Sequence, residues 1–299
     1  MSATEHAQHC YVYDLVMPGP PPAVACSALL VQRSSGSLSG VSVEGARASV
    51  ALLQARRGAG CSVQVSAAEK FFFVLEGALT ADLDGRLHEV PAQHALHVPA
   101  GMPHSLRAGC DTRFILALSR NAAAMAGVFD DASWVEHANA ATQSVTRQSG
   151  DVVMRYVYPI DELSAVPPGA SSAKVVPKNF VSGKSSSFGA ALSGAALHVG
   201  VIHKARGSGA KLHTHQNEQF NVVLQGRLLG EIAAAPMDVA PYGLVHMPAG
   251  VPHCTMASAD GDIAVFVVKD TSHGLSGPPV DGIEDGPRYL PGFGPRASV

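Results

Sequence analysis

Residues recur in this chain at a fixed spacing of 149. Gly226 follows Gly77 by that interval, and so do Pro248 after Pro99, Gly250 after Gly101 and His253 after His104. Arg57, Gly58, Gly60 and Glu69 return as Arg206, Gly207, Gly209 and Glu218, while VLEG and VPAGMPH return as VLQG and MPAGVPH. A constant offset held over this length means two copies of one unit. From Val24 onward, short β-favouring runs alternate with Gly and Ser turns, which is the pattern of an all-β barrel. With 299 residues the chain has the length of two domains.

The copies differ where chemistry would sit. Residues Lys211 to Gly226 read KLHTHQNEQFNVVLQG. Successive strand residues point to opposite faces, so His213 and His215 project together, and Gln219, of the same parity, joins them if the strand continues. With His253 they make three imidazoles and one carboxamide oxygen, a donor set for a divalent metal. In the first copy the equivalent positions hold Gln64, Ser66 and Lys70, and only His104 is kept. A cation at Lys70 repels a metal, so the first copy is expected to be metal-free; its sharper use would be an organic anion held by Lys70 and His104. Glu218 is an anionic donor beside Gln219, but Glu69 stands at its place in the copy that lost its ligands, and parity sends it to the opposite face. Alternation likewise turns Cys254 away from a metal held by His253.

HxHxxxQ, six residues and Gly226, followed by PAGVPH, resembles the two metal motifs of the cupin superfamily, with Gln219 where the usual pattern has Glu. The resemblance implies an all-β fold of two tandem cupin (jelly-roll) β-barrels with short connecting helices. The expected order is an N-terminal arm over 1–22, a first barrel over 23–120, a linker over 121–172, a second barrel over 173–272 and a C-terminal arm over 273–299. Asn121 to Arg147, Ala-rich and containing Trp134, suggests one or two short helices. The implied metal ligands are His213, His215, Gln219 and His253, and the implied cofactor is a divalent metal, Mn, Fe, Ni or Zn. A homodimer is the family's expectation.

Three neutral imidazoles and a neutral amide leave the full charge on a divalent ion, which favours Lewis-acid work over oxidation. Cupins with HxHxxxQ include lyases and isomerases. The expected function is therefore a non-redox lyase or isomerase for a small oxygenated metabolite. The alternatives are an Fe(II)-dependent dioxygenase and a non-catalytic small-molecule-binding cupin. A general base is also required. His203, Lys204, Arg206 and His246 are the catalytic candidates, with Lys211, His198 and Tyr242 behind them.

Composition excludes other classes. Net charge is −3, with 15% charged and 46% hydrophobic residues, and nothing in it forms an electrostatic footprint for nucleic acid or an anionic membrane. The start, MSATEHAQHCYVYDL, has no basic region followed by an apolar core, and no apolar run approaches the ~20 residues of a membrane span, so a cytoplasmic protein is expected. Five cysteines without a CxxC pair argue against a disulfide framework or zinc ribbon.

Overall fold

The structure is a computed structural model, and it describes residues 11–16, 26, 28–83, 85–120, 134–136, 153–176 and 185–294. Strands such as Lys70–Glu76 (KFFFVLE) and Ile263–Asp270 (IAVFVVKD) are nearly continuous β-branched and aromatic runs, buried along most of their length. Such runs suit strands covered on both faces.

The described residues fall into two compact units. One gathers those within Leu30–Val175 and Leu192–Leu197; the other gathers those within Met1–Leu29, Val176–Ala191 and His198–Val299. In the first, one sheet runs in the order Val157–Pro159, His94–Val98, Lys70–Glu76, Thr112–Ser119, Ala48–Ala55 and Leu38–Glu44. Its companion sheet runs Trp134–Glu136, Ala59–Gln64, His104–Ala108, Ala78–Leu83 and Arg86–Pro91. The second unit repeats the plan. Val12–Asp14, Gly243–Met247, Gln219–Gln225, Ile263–Asp270 and Leu197–Lys204 lie side by side, as do Arg288–Tyr289, Ser208–Gly209, His253–Ala257, Leu228–Ile232 and Ala235–Val239. All the named pairings of both units are antiparallel. This is the two-sheet cupin architecture, twice.

The repeat holds at the level of register. Lys70 faces Val98, and Gln219 faces Met247. The bulge beside Glu76 returns beside Gln225. Gly77 and Gly226 follow these bulges with φ of 81° and 77°, and a Cβ there would come within 2.5 and 2.4 Å of a carbonyl oxygen of the neighbouring loop. Only glycine meets both demands. Past the next hairpin the second unit carries two extra residues, because Lys70 faces Leu118 whereas Gln219 faces Lys269.

The interiors are filled differently. In the first unit Phe72 and Phe114 meet at 6.0 Å, and Trp134 stacks on Phe114 at 5.7 Å, so aromatic rings occupy the core. By register the second unit has Asn221 and Val265 where the first has Phe72 and Phe114. Space opens there. Trp134, expected on a helix, lies instead on a strand paired to Ala59–Cys61, since only that pairing sinks the indole among the barrel's side chains. The rest of the expected linker helices falls at 121–133 and 137–152, outside the described residues; Ile160–Ala165 forms a 3-10 helix. No helix among the described residues is long and apolar enough to cross a membrane.

Candidate metal centre and cavity of the second barrel

His213 leads into the Gln219–Gln225 strand, and its backbone is bridged to His253 at the start of the strand His253–Ala257. That bridge sets the two motifs side by side. The imidazoles of His213, His215 and His253 offer nitrogens that all lie within 4.8 Å of one another. Their tautomers follow from the outer contacts. Nδ1 of His213 reaches the Lys211 carbonyl, Nδ1 of His215 that of Asn217, and Nδ1 of His253 that of Val251, each at 2.8 Å. A carbonyl only accepts, so each Nδ1 carries the proton and each Nε2 keeps its lone pair. Burial is the main cause that lowers all three pKa values, that of His215 to about 4, with the charge of Lys269 adding to it in every case. The imidazoles are therefore neutral near neutral pH, with lone pairs available to a cation.

The donor set fits a divalent cation. His215 Nε2 is buried and has no hydrogen-bond partner, an orphan acceptor of the kind that calls for an explanation. Gln219 lines the same cavity and donates through Nε2 to Asn221 Oδ1 at 2.9 Å, so its carboxamide oxygen is the atom that could serve a cation.

The first barrel shows the opposite solution. His104 Nδ1 donates to the Met102 carbonyl, and its Nε2 therefore accepts from Lys70 Nζ at 3.0 Å. The ammonium stands where an ion would. Gln64 turns its amide to Cys61, and the Ser66 hydroxyl accepts from the Ala68 N–H, so the remaining former ligand positions are engaged locally. Lys70 thus has the His104 imidazole as a hydrogen-bond partner.

Of the four catalytic candidates only Lys204 reaches the cavity. It is buried, donates to the carbonyl and hydroxyl of Thr255 at 2.9 and 2.7 Å, and burial holds its pKa near 8. His203 stacks on Phe188 outside the cavity. Arg206 is exposed, with its backbone N–H on Asp262 and its guanidinium over Phe293; Arg57 repeats the backbone contact on Asp111 in the other barrel. His246 is fully buried on the far face and bonds Glu218 at 2.9 Å, as His97 bonds Glu69 at 3.0 Å. Both contacts belong to the duplicated framework. Lys211 and His198 line the cavity, whereas Tyr242 does not.

The cavity measures about 170 Å³ and also holds Lys269, Thr255 and Asn221, which sequence reasoning did not single out. Lys269 hides behind the two-residue insertion that breaks the 149 offset. A charge near the end of IAVFVVKD was the available signal. Part of the wall is the C-terminal segment: Leu275, Ser276, Gly277 and Pro279 line the cavity, and backbone bonds from Val280 to Leu212 and from Thr214 to Pro278 tie it to the residues around His213. Lys211, paired with Asp281 and Asp285 at 2.6 and 2.8 Å, fastens it.

A cupin domain family model matches residues 57–117. No curated protein matches the sequence. Among solved structures, a serine-to-alanine mutant of Bacillus subtilis oxalate decarboxylase OxdC is similar with a TM-score of 0.57 and 12% identity, over 85% of this chain and 79% of that one. A structure of the same enzyme addressing its Mn(II) centres has a TM-score of 0.57 and 13% identity, over 84% and 78% of the two chains. At such identities the likeness speaks for fold.

Proposed function

Since the chain is a bicupin, a two-barrel member of the cupin superfamily, we propose that its second barrel is the active site of a metal-dependent lyase or isomerase acting on a small oxygenated metabolite. The observation that carries this is the convergence of three neutral imidazoles on one point, each fixed by a carbonyl at Nδ1, with an orphaned Nε2 among them. His213, His215, His253 and Gln219 would hold a divalent ion, which when bound supplies Lewis acidity undiminished by any anionic ligand. The Mn(II) centres of the oxalate decarboxylase are in keeping with such an ion.

The chain's own groups supply the rest. Lys204, held against Thr255 with a pKa near 8, is the proton acceptor through its deprotonated fraction, since a base works best when its pKa lies near the operating pH. Thr255 and Gln219 orient polar atoms of the substrate, while Val199, Ile202, Met247, Val265 and Val267 keep water from its apolar side. A cavity of about 150 Å³ in a protein core takes one benzene. About 170 Å³ admits a molecule of that order, not a polymer.

The test begins with elemental analysis of the purified protein, then chelation and reloading with Mn(II), Fe(II), Ni(II) or Zn(II). Reloaded protein is screened by NMR in D2O against small hydroxy and oxo acids with oxygen consumption followed in parallel. Isomerised or cleaved product without oxygen uptake is expected. Product that appears only with stoichiometric oxygen uptake, on the iron-loaded form, would assign a dioxygenase instead. Absence of bound metal together with no affinity for any of the four ions would leave a non-catalytic binding protein.

A further inference from the structure

Two ammonium groups stand in the cavity with no carboxylate to balance them. Lys204 and Lys269 are 4% and 3% exposed, and neither has an ion-pair partner among the described residues. Lys204 is held by the two oxygens of Thr255, and Lys269 donates to the Leu275 carbonyl at 2.6 Å. Asp270, adjacent in the strand, acts on Lys269 only through space: its own oxygens take the N–H groups of Glu218 and Ser272. Lys211, the third lysine on the cavity, is already neutralised by Asp281 and Asp285. Among the described residues no Asp or Glu lines the cavity.

A buried charge without a counter-ion is costly. The fold does not require this cost, because by register the first barrel has Ala55 and Leu118 at the two positions, and it builds the same sheet without them. Lys269 faces Gln219 across the sheet and lines the cavity with His213 and His253, and its charge acts on all three histidines. A divalent ion there adds more positive charge. The missing partner is therefore an anion, and one that brings apolar surface, because Val199, Ile202, Met247, Val265 and Val267 line the same cavity beside Lys269.

We infer that the second barrel selects a small carboxylate with a short apolar tail, its carboxylate taken by the Lys269 ammonium and its tail laid on the valine and methionine wall. The inference rests on the cavity being the active site proposed above. A three-donor ammonium that gives one N–H to Leu275 keeps two for the ligand. An ammonium is a point charge, not a fork, so the carboxylate is held without a fixed twist about its own axis and the wall must set its orientation.

The test uses 3-methyl-2-oxobutanoate and its carboxamide, which share a shape and differ in charge, titrated calorimetrically into the purified protein and into chelator-treated protein. Lys269→Met is titrated alongside. In both preparations the acid is expected to bind about ten- to a hundredfold tighter than the amide, the range of a charged hydrogen bond. Lys269→Met is expected to lose that preference while leaving the amide's affinity within about twofold. Equal affinity for acid and amide in the wild-type protein would overturn the inference. So would equal weakening of both ligands in the variant, which would show Lys269 serving only to hold the Leu275 carbonyl. If the protein takes up metal but shows no charge preference, the substrate class alone fails. If the charge preference survives and no metal binds, the catalytic reading fails while the anion site stands.

Discussion

Glu218 and Gln219 are neighbours in sequence, face opposite sides of one strand, and should fail in opposite ways. Glu218 and its partner His246 have side chains 4% and 0% exposed and meet at 2.9 Å. Glu218→Ala leaves the buried imidazole without that acceptor, a loss of about 1–3 kcal/mol for a buried hydrogen bond left unmade. Against a usual total of about 5–15 kcal/mol, this is a sizeable fraction of the second barrel's stability. Gln219 is half-buried and makes one side-chain bond, to Asn221. Gln219→Ala should therefore cost only about 1 kcal/mol. Metal affinity should show the reverse order. Removing a direct ligand should weaken it by at least the ten- to hundredfold that losing an outer partner costs, whereas Glu218→Ala should keep the site in whatever fraction remains folded. Urea unfolding gives the first quantity, and equilibrium dialysis against Mn(II) or Zn(II) at low denaturant gives the second. The register would be refuted if Glu218→Ala emptied the site of a folded protein while Gln219→Ala retained full affinity.

Two further outcomes follow from the first barrel. Burial lowers His104 to about 4 and Lys70 to about 8, so the unfolded chain binds more protons than the folded one between those values and the ordinary ones. Stability should accordingly rise with pH from about 4 to 6.5 through His104, and again from about 8 to 10.5 through Lys70. Lys204 and Lys269, also held near 8, add to the upper rise, so Lys70→Met should reduce it without abolishing it in melting curves taken across that range, and a rise that persists unchanged would assign it to the other two lysines. Trp134→Ala empties the space stacked on Phe114 and should cost about 3–5 kcal/mol, read by denaturant titration, with metal binding in the second barrel unchanged.

Much of the fold can be read from the spacing of glycines and prolines alone. Gly77 and Gly226 need positive φ beside a bulge, and the PAG turns before His104 and His253 place those histidines at the start of equivalent strands. Such demands are local, so they survive in the residue sequence. The cluster of His213, His215 and His253 was legible from motif spacing, although His213 and His215 precede the strand that begins at Gln219 and are brought to His253 by a single backbone bridge, not by alternation along one strand. The catalytic candidates were not. His203, Arg206 and His246 lie within a few positions of the motifs, but proximity in sequence says nothing about which side of a sheet a side chain takes. The recurrence of His97 at His246 was a sign of a framework role that the 149 offset already contained.

The sequence by itself determined that there are two copies of a β-barrel and that one of them carries a set of neutral donors, because period-two alternation and turn chemistry act over a few residues at a time. Only the tertiary structure decided which barrel has room inside and what charge lines it. Trp134 fills the first barrel from a segment far along the chain, Lys70 reaches across to His104, and Lys269 comes to face Gln219 through an insertion that shifts the count by two. Those are contacts between strands distant in sequence, and packing sets them, not local preference.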